Sequence, residues 1–440
     1  MYQSEVESCY SLRRKRLLRQ IKGEAALFVA APHVTSGRDL HYPFEQATDL
    51  LYLTGINEPQ IALVLLGTSK GSRSVLYLRD RDPEHEKWNG ERIGLKRAKR
   101  RYRVDEVRDI STFAKDLPQL LSGLQTLHFS PGINSEFDQT VFSLFQSSVG
   151  PRLNTPHTLR DARLITSEMR FTKDRTEITA LRRAAEITAT GFQMLLPRLK
   201  EATSEFHAAQ MLEAFFARAG GHGLAFPTIM ASGKNATILH HEPTLQPLWK
   251  RELLLIDAGA KFRGYCGDIT RTVPVSGKFS EPQGEIYDLV NSALNAAITK
   301  AQPGNTLDDM HEVAVRTLVR GLLDLGILKG NAGQIIASGE YKRFYMHRTG
   351  HWLGIDVHDI SPVTIGSRFV PSILRPLAAG NAFTIEPGLY FDPKDDHVPL
   401  QYRGIGVRIE QDVLITPSGH EILSDGIPTD REEIEKLCGA

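Results

Sequence analysis

Cysteine is scarce in this chain: Cys9, Cys266 and Cys438 are the only three in 440 residues, far apart and in no CxxC pair. That excludes a disulfide framework or a cysteine-based zinc knuckle and favours a reducing compartment such as the cytoplasm. Net charge is nearly absent too, 53 basic against 52 acidic residues, or +1, so no strong attraction to nucleic acid is expected. No apolar run reaches the length needed to cross a membrane. The nearest imitation of a targeting signal is the basic cluster Arg13 to Arg19 followed by Ala25 to Ala31. Glu24 interrupts it and Pro32 ends it without a small-residue cleavage pattern. Leu12, Leu17, Leu18 and Ile21 instead suit the apolar side of a first helix. The densest charge run, KRAKRRYR from Lys96 to Arg103, lacks interleaved aromatics and reads as a solvated face rather than a phosphate-binding patch.

What is present is an ordinary globular balance, 41% apolar and 24% charged, over a length that one core seldom supports. Residues 25–130 alternate short apolar runs such as ALFVA, IALVLL and SVLYL with polar or helical segments, the rhythm of an α/β domain. The proline-bearing, apolar-poor stretch GPRLNTPHTLRDAR, residues 150–163, places a boundary there, giving domains 1–165 and 166–440. A long helical pattern from Asp174 to Lys200 carries an apolar stripe through Ile178, Leu181, Ala185, Ile187 and Phe192. Further amphipathic segments come at Glu205 to Ala219 and Glu281 to Thr299. Two antiparallel strand pairs lie among them: RELLLIDAGAKFRGYCGDITRTVPV, and NAFTIEPGLYF with GIGVRIEQDVLI. Each half of the second domain thus offers helices and a strand pair, a loose internal duplication in an α+β arrangement.

The chemistry is in the acids of those pairs. Asp257, Asp268, Glu386 and Glu410 sit one to a strand on otherwise apolar runs. A carboxylate inside LLLIDAGA or GVRIEQDV is costly to bury unless a positive charge meets it. Two divalent ions would balance four carboxylates, and an oxygen-rich set with one nitrogen suits a harder metal such as manganese better than structural zinc. Paired ions about 3.5–4 Å apart can generate a nucleophile at neutral pH, which is hydrolytic machinery.

The nitrogen has several candidates, because HRTGHWLGIDVH holds His347, His351 and His358 within twelve residues. His347 and His351 have the i, i+4 spacing of a helical zinc site, but the stretch lacks its glutamate and has Gly350 between them. From His351 onward Leu353, Ile355 and Val357 alternate with polar or small residues, which predicts a half-buried strand.

In these motifs the chain resembles the aminopeptidase P and prolidase group of pita-bread metallopeptidases, relatives of methionine aminopeptidase and creatinase. DAGA, GDITRT, HWLGIDVHD, TIEPGLY and GVRIEQD are similar to the family's five metal-ligand motifs, in its order. YPFEQATDLLYLTGINEP, Tyr42 to Pro59, resembles the N-terminal segment typical of aminopeptidase P. The resemblance implies an α/β creatinase-like N-terminal domain before an α+β pita-bread catalytic domain with pseudo-twofold duplication. It implies two metal ions, usually manganese, held by Asp257, Asp268, His351, Glu386 and Glu410, so that one histidine of the three is a ligand. By the same resemblance His240, in GKNATILHHEP, and His358 face the scissile bond, His347 lies near the proline pocket, and Arg408 supports the site and the substrate. Glu386 is both ligand and proton acceptor.

The implied reaction is release of the N-terminal residue from peptides with proline second, by a homo-oligomer, dimer or tetramer. A prolidase restricted to Xaa-Pro dipeptides, a metal-free creatinase-like hydrolase and a non-catalytic pita-bread binding module are the rivals. Two features stand apart. His241 occupies a position where relatives often carry tyrosine, and Cys266 would share a strand face with Asp268, although a free cysteine more often packs as a small hydrophobe.

Overall fold

The computed structural model describes residues 2–68, 71–147, 155–360, 364–365, 368–369 and 372–439. Residues 150–154 of the boundary stretch lie outside the described residues. The chain divides into two compact units, Met1–Met169 and Arg170–Ala440.

The first unit is built on a six-stranded sheet in the order β4-β3-β2-β1-β5-β6. The strands are β1 (Ala25–Val29), β2 (Ala62–Thr68), β3 (Gly71–Leu78), β4 (Glu106–Asp109), β5 (Thr126–His128) and β6 (Thr158–Arg160). β1 pairs antiparallel with β2 and parallel with β5. All five residues of β1 are buried, as the unbroken apolar run AALFV requires of a strand covered on both faces. One face packs on Phe113, Leu117, Phe137, Val141 and Leu144.

The first helix, Tyr2–Gln20, departs from the pattern read above. Leu17, Leu18 and the following Ile21 are buried, whereas Leu12 is 64% exposed. The inward positions beside Leu12 belong to Arg13 and Arg14, whose guanidiniums donate to the carbonyls of Tyr52 and Leu53. The basic run forms a short helix, Leu95–Arg101, in which Ala98 is the buried residue and Lys96, Arg97, Lys99 and Arg100 are exposed.

The second unit opens with the helix Arg175–Leu195. Its start is written in the sequence DRTE: Asp174 accepts from the backbone N–H of Thr176 and Glu177, and Glu177 accepts in return from the N–H of Asp174, a reciprocal cap. Leu181, Ala185, Ile187 and Phe192 of its stripe are buried; Ile178 is half-buried. With the helix Glu205–Arg218 it accompanies a three-stranded antiparallel sheet, β11-β8-β7, of β7 (Ile229–Ser232), β8 (Leu253–Ala258) and β11 (Ile269–Pro274). A small pair, β9 (Lys261–Phe262) and β10 (Tyr265–Cys266), turns the chain between β8 and β11.

The second half repeats the plan. Helices Glu281–Ile298 and Leu307–Asp324 accompany the sheet β14-β17-β18, of β14 (Ala382–Ile385), β17 (Gln411–Thr416) and β18 (Gly419–Ile422), with β15 (Gly388–Tyr390) paired to β16 (Gly406–Arg408). A short antiparallel pair, β12 (Thr364–Ile365) and β13 (Arg368–Phe369), precedes it. One hydrophobic cluster joins the two halves, from Ile187 and Phe192 through Leu254, Ile256 and Val290 to Phe383, Val407 and Val413.

Candidate active site

β8 runs antiparallel to β11 with Asp257 opposite Thr270, so Asp257 lies within a regular strand. The other three acids do not. Asp268 precedes β11, Glu386 follows β14, and Glu410 falls in the break between β16 and β17. At each break the backbone N–H leaves the ladder for another partner: Asp268 donates to Asp412 Oδ2 (3.0 Å), Glu386 to the Thr349 carbonyl (2.7 Å) and Glu410 to the Thr270 carbonyl (3.1 Å). The expectation of one acid inside each strand therefore holds for one of the four. Ending the strands frees the other carboxylates from strict alternation between faces.

His351 meets these acids from a segment that is not the predicted strand. Only Trp352 forms a β-bridge, to Phe383; the residues after it bend, and Leu353 and Ile355 are buried while His358 emerges. The segment lies against β14 so closely that a Cβ on Gly350 would stand 1.9 Å from the Thr384 carbonyl oxygen, which explains a glycine where a helical site would not need one. The backbones of His351 and Thr384 are tied, Thr384 N–H donating to His351 O at 2.8 Å.

Together these elements bring ligand atoms of Asp268, His351 and Glu410 within 4.8 Å of one another. His351 Nε2 is 3.4 Å from Asp268 Oδ2 and 3.7 Å from Glu386 Oε1. Asp257 is held from behind by Arg408 at 2.6 Å through Oδ2, and its other oxygen is buried with no hydrogen-bond partner among the described residues.

The electrostatics are those of a cation site. Burial, then the charges of Asp257, Asp412 and Glu386, pushes the Asp268 carboxyl well above its usual range. Burial and the charges of Asp268, Glu386 and Asp257 do the same to Glu410. Burial raises Glu386 to about 7, with Asp257 adding to the rise and His351 and Arg408 opposing it. An unpartnered buried oxygen and a group of mutually repelling carboxylates around one imidazole fit a divalent metal.

Around this group runs a hydrogen-bond chain. His347 Nδ1 donates to the Arg348 carbonyl (2.8 Å), so its Nε2 accepts from Tyr390 Oη (2.8 Å); that oxygen accepts from Arg408 (2.9 Å), which reaches Asp257. Burial, then the nearby Arg408 charge, lowers His347 to about 4, which keeps this neutral tautomer. Arg408 Nε also meets Thr270 Oγ1 at 3.3 Å, the hydroxyl that donates to Glu410 Oε2 at 2.8 Å. Arg408 and Glu410 thus both meet the Thr270 hydroxyl. Both His347 ring nitrogens and the Arg408 guanidinium are engaged with protein atoms. His358 stacks edge-on to His351, ring centroids 4.2 Å apart. Burial, then the charges of His351 and His240, lowers its pKa. The charge of His240 is felt at His347 as well.

His241 turns to a different task. Its Nε2 lies 2.9 Å from Glu205 Oε2. Burial would raise that carboxyl, but hydrogen bonds from Thr244, Ser232, His241 and Asn235 hold it down to about 2. Cys266 points its thiol at the Ile355 carbonyl at 3.7 Å, and burial pushes it upward, so it offers no thiolate to the acids.

Three contributors escaped the sequence reading. Tyr390 lies within TIEPGLYF yet carries no periodic signal. Thr270 reads as an ordinary strand residue. Asp412 could have been found, being a fifth acid in an apolar run, RIEQDVLI, two residues after Glu410; burial raises it to about 8.

The sequence pattern of metallopeptidase family M24 matches residues 179–417, and that of the aminopeptidase P N-terminal domain matches residues 10–128. The Xaa-Pro aminopeptidase of Escherichia coli (strain K12) is 40% identical over 436 residues, spanning 98% of this chain and 97% of that one. The Xaa-Pro aminopeptidase of Haemophilus influenzae is 39% identical over 426 residues, covering 97% and 96%. Among solved structures, aminopeptidase P from E. coli with the inhibitor Pro-Leu superposes with a TM-score of 0.93 at 39% identity, covering 98% of each chain. Proline aminopeptidase P II from Yersinia pestis gives 0.92 at 38% identity, covering 98% of this chain and 99% of its own.

Proposed function

The chain belongs to metallopeptidase family M24, its pita-bread catalytic domain preceded by an aminopeptidase P N-terminal domain, and from this we infer that it is a metal-dependent Xaa-Pro aminopeptidase. The observation that carries the reading is the convergence of Asp268, His351 and Glu410, with Glu386 beside them and Asp257 braced by Arg408. The full-length likeness to Xaa-Pro aminopeptidases supports the peptide substrate, and the Pro-Leu inhibitor of the E. coli relative supports proline in the second position.

Two divalent ions per chain, most favourably manganese, would be held by Asp257, Asp268, His351, Glu386 and Glu410; four carboxylates against four positive charges support that number, and the oxygen-rich donor set supports that metal. Bound there, the metal supplies an activated water nucleophile and polarisation of the scissile carbonyl. Glu386 takes the proton of the attacking water at a carboxylate oxygen and returns it to the leaving nitrogen. His358, kept neutral by burial and by His351, donates a hydrogen bond to the carbonyl oxygen as negative charge develops there, and His240 acts beside it. The His347–Tyr390–Arg408 chain fixes Asp257 and presents His347 toward the substrate's proline.

An Xaa-Pro amide has no N–H and its ring fixes φ, so recognition has to come from ring contacts rather than backbone pairing. Three free cysteines, two of them buried, support a reducing compartment, the cytoplasm. No described helix is long and apolar enough to cross a membrane. A homo-oligomer is proposed from the family resemblance, and sedimentation tests it.

The deciding experiment compares kcat/KM of the manganese-loaded protein on Xaa-Pro-Yaa, Xaa-Ala-Yaa and Xaa-Pro dipeptides. Strong preference for the first is expected. Turnover of the dipeptide alone would identify a prolidase, and no turnover with metal bound would leave a binding module.

A further inference from the structure

The segment that carries His351 and His358 is held by a buried ionic cluster that the mechanism above leaves unused. Asp359, adjoining His358, has a side chain 1% exposed. Its Oδ1 accepts from the Arg170 guanidinium and its Oδ2 accepts from Lys173 Nζ at 2.8 Å. Both cations are equally buried, at 2% and 1%. Arg170 also reaches Asp356 at 2.5 Å, so two cations meet two carboxylates and the charges cancel. An ionic cluster of this kind, its opposite charges paired, is tolerable inside a protein, whereas a buried charge left alone is not.

The cluster is positioned to hold histidines. Asp359 N–H donates to the Trp352 carbonyl at 2.8 Å, closing residues 352–359 into a loop with His351 at its entrance and His358 at its exit. The carboxylate lies directly on the loop's own backbone, since a Cβ on Gly354 would stand 2.1 Å from Asp359 Oδ2. The other side of the loop is tied by Cys266 N–H to the Gly354 carbonyl at 2.9 Å. The anchor itself is fixed to the strand that leads to Glu386: Lys173 N–H donates to Gly380 O at 2.8 Å, and Asn381 Nδ2 donates to Phe171 O at 2.8 Å, immediately before β14. The cluster therefore references His358 to the same rigid piece that carries Glu386.

We propose that Asp359, clamped by Arg170 and Lys173, is a positioning residue that sets where His358 stands relative to His351 and Glu386. The inference rests on the aminopeptidase reading for its kinetic consequence. It does not require Asp359 to touch substrate or metal. A displacement of about 1 Å at a reacting group can cost on the order of 10² in rate, so loss of the clamp is expressed in kcat more than in KM.

The test is a double-mutant cycle. Asp359→Asn in the manganese-loaded protein should lower kcat by about 10- to 100-fold with KM and metal stoichiometry little changed. In a His358→Ala background the same substitution should lower kcat less than about 2-fold, because the residue it acts through is gone. Equal losses in both backgrounds would make the cluster merely structural and overturn the proposal, as would an Asp359→Asn protein with wild-type kcat. Should Asp359→Asn not fold, Lys173→Met, which leaves Arg170 on the carboxylate, carries the same expectation at smaller amplitude; failure of both to fold assigns the cluster to stability alone. A second readout uses histidine-labelled, metal-free protein: the His358 ring resonances should shift on Asp359→Asn, and unmoved resonances overturn the positioning role. That measurement needs no turnover. It decides this inference even if the wild-type chain is inactive on Xaa-Pro peptides, a result that would overturn the aminopeptidase reading instead.

Discussion

His351 faces Asp268 with Nε2 3.4 Å from Oδ2, and Nδ1 of the same ring lies 3.1 Å from the Trp352 carbonyl oxygen. Nδ1 must carry the proton to donate to that carbonyl, so the neutral imidazole turns its Nε2 lone pair toward a carboxylate oxygen. A divalent cation between that lone pair and the carboxylate oxygen would satisfy both.

Metal analysis should therefore find two divalent ions per chain, with manganese supporting the highest activity. His351→Ala removes one ligand and should weaken one ion, with activity partly recovered at high manganese. Elemental analysis and activity titration check both statements. A manganese-loaded, folded protein that retains no metal would defeat the hydrolase reading.

His358 has the opposite expected profile. Its ring stacks edge-on to His351, and the family resemblance turns it toward the scissile bond rather than the metal, so His358→Ala should keep both ions and lower kcat by roughly 10²–10³, the range for losing one oxyanion donor. If His358→Ala sheds metal while His351→Ala does not, the two roles are inverted.

Glu386→Gln preserves an oxygen near the metal group but cannot accept a proton. Turnover should fall by at least about 10²-fold, as expected for a lost acid–base group, while metal occupancy falls much less. Single-turnover kinetics on an Xaa-Pro-Yaa peptide check this, and unchanged turnover would remove Glu386 from proton transfer.

Stability should depend on pH in a direction opposite to simple acid denaturation at this site. Asp268 and Glu410 are raised well above their usual values, Glu386 to about 7 and Asp412 to about 8, in each case chiefly by burial. Unfolded carboxyls titrate near pH 4. Between about pH 4 and pH 8 the folded metal-free site holds more protons than the unfolded chain, so its contribution to stability is complete below pH 4 and lost as pH rises through that window. Metal binding displaces those protons and gains with pH. The Tm gap between manganese-loaded and metal-free protein should widen from pH 5 to pH 8. Comparing the two forms at each pH cancels groups outside the site, and a constant gap would contradict the assignment.

Much of this was legible in the chain itself. Asp257, Asp268, Glu386 and Glu410 stood out because a charge in an apolar run is physically anomalous, and Asp268 and Glu410 do converge with His351. The cap at Asp174 and the buried strand at Ala25–Val29 follow from local pattern alone. Tertiary structure decided what local pattern cannot carry. The expected strand after His351 became a loop because it makes a single bridge to β14, at Trp352, and then closes on itself through Asp359, whose carboxylate is held by side chains 180 or more positions away in sequence, Arg170 and Lys173. Leu12 was exposed because Arg13 and Arg14 found carbonyl partners on a distant helix. Tyr390 and Thr270 gained importance only through what lies beside them, His347, Arg408 and Glu410. Periodicity reports which residues prefer burial; which polar groups then meet is set by the packing of elements far apart in the chain.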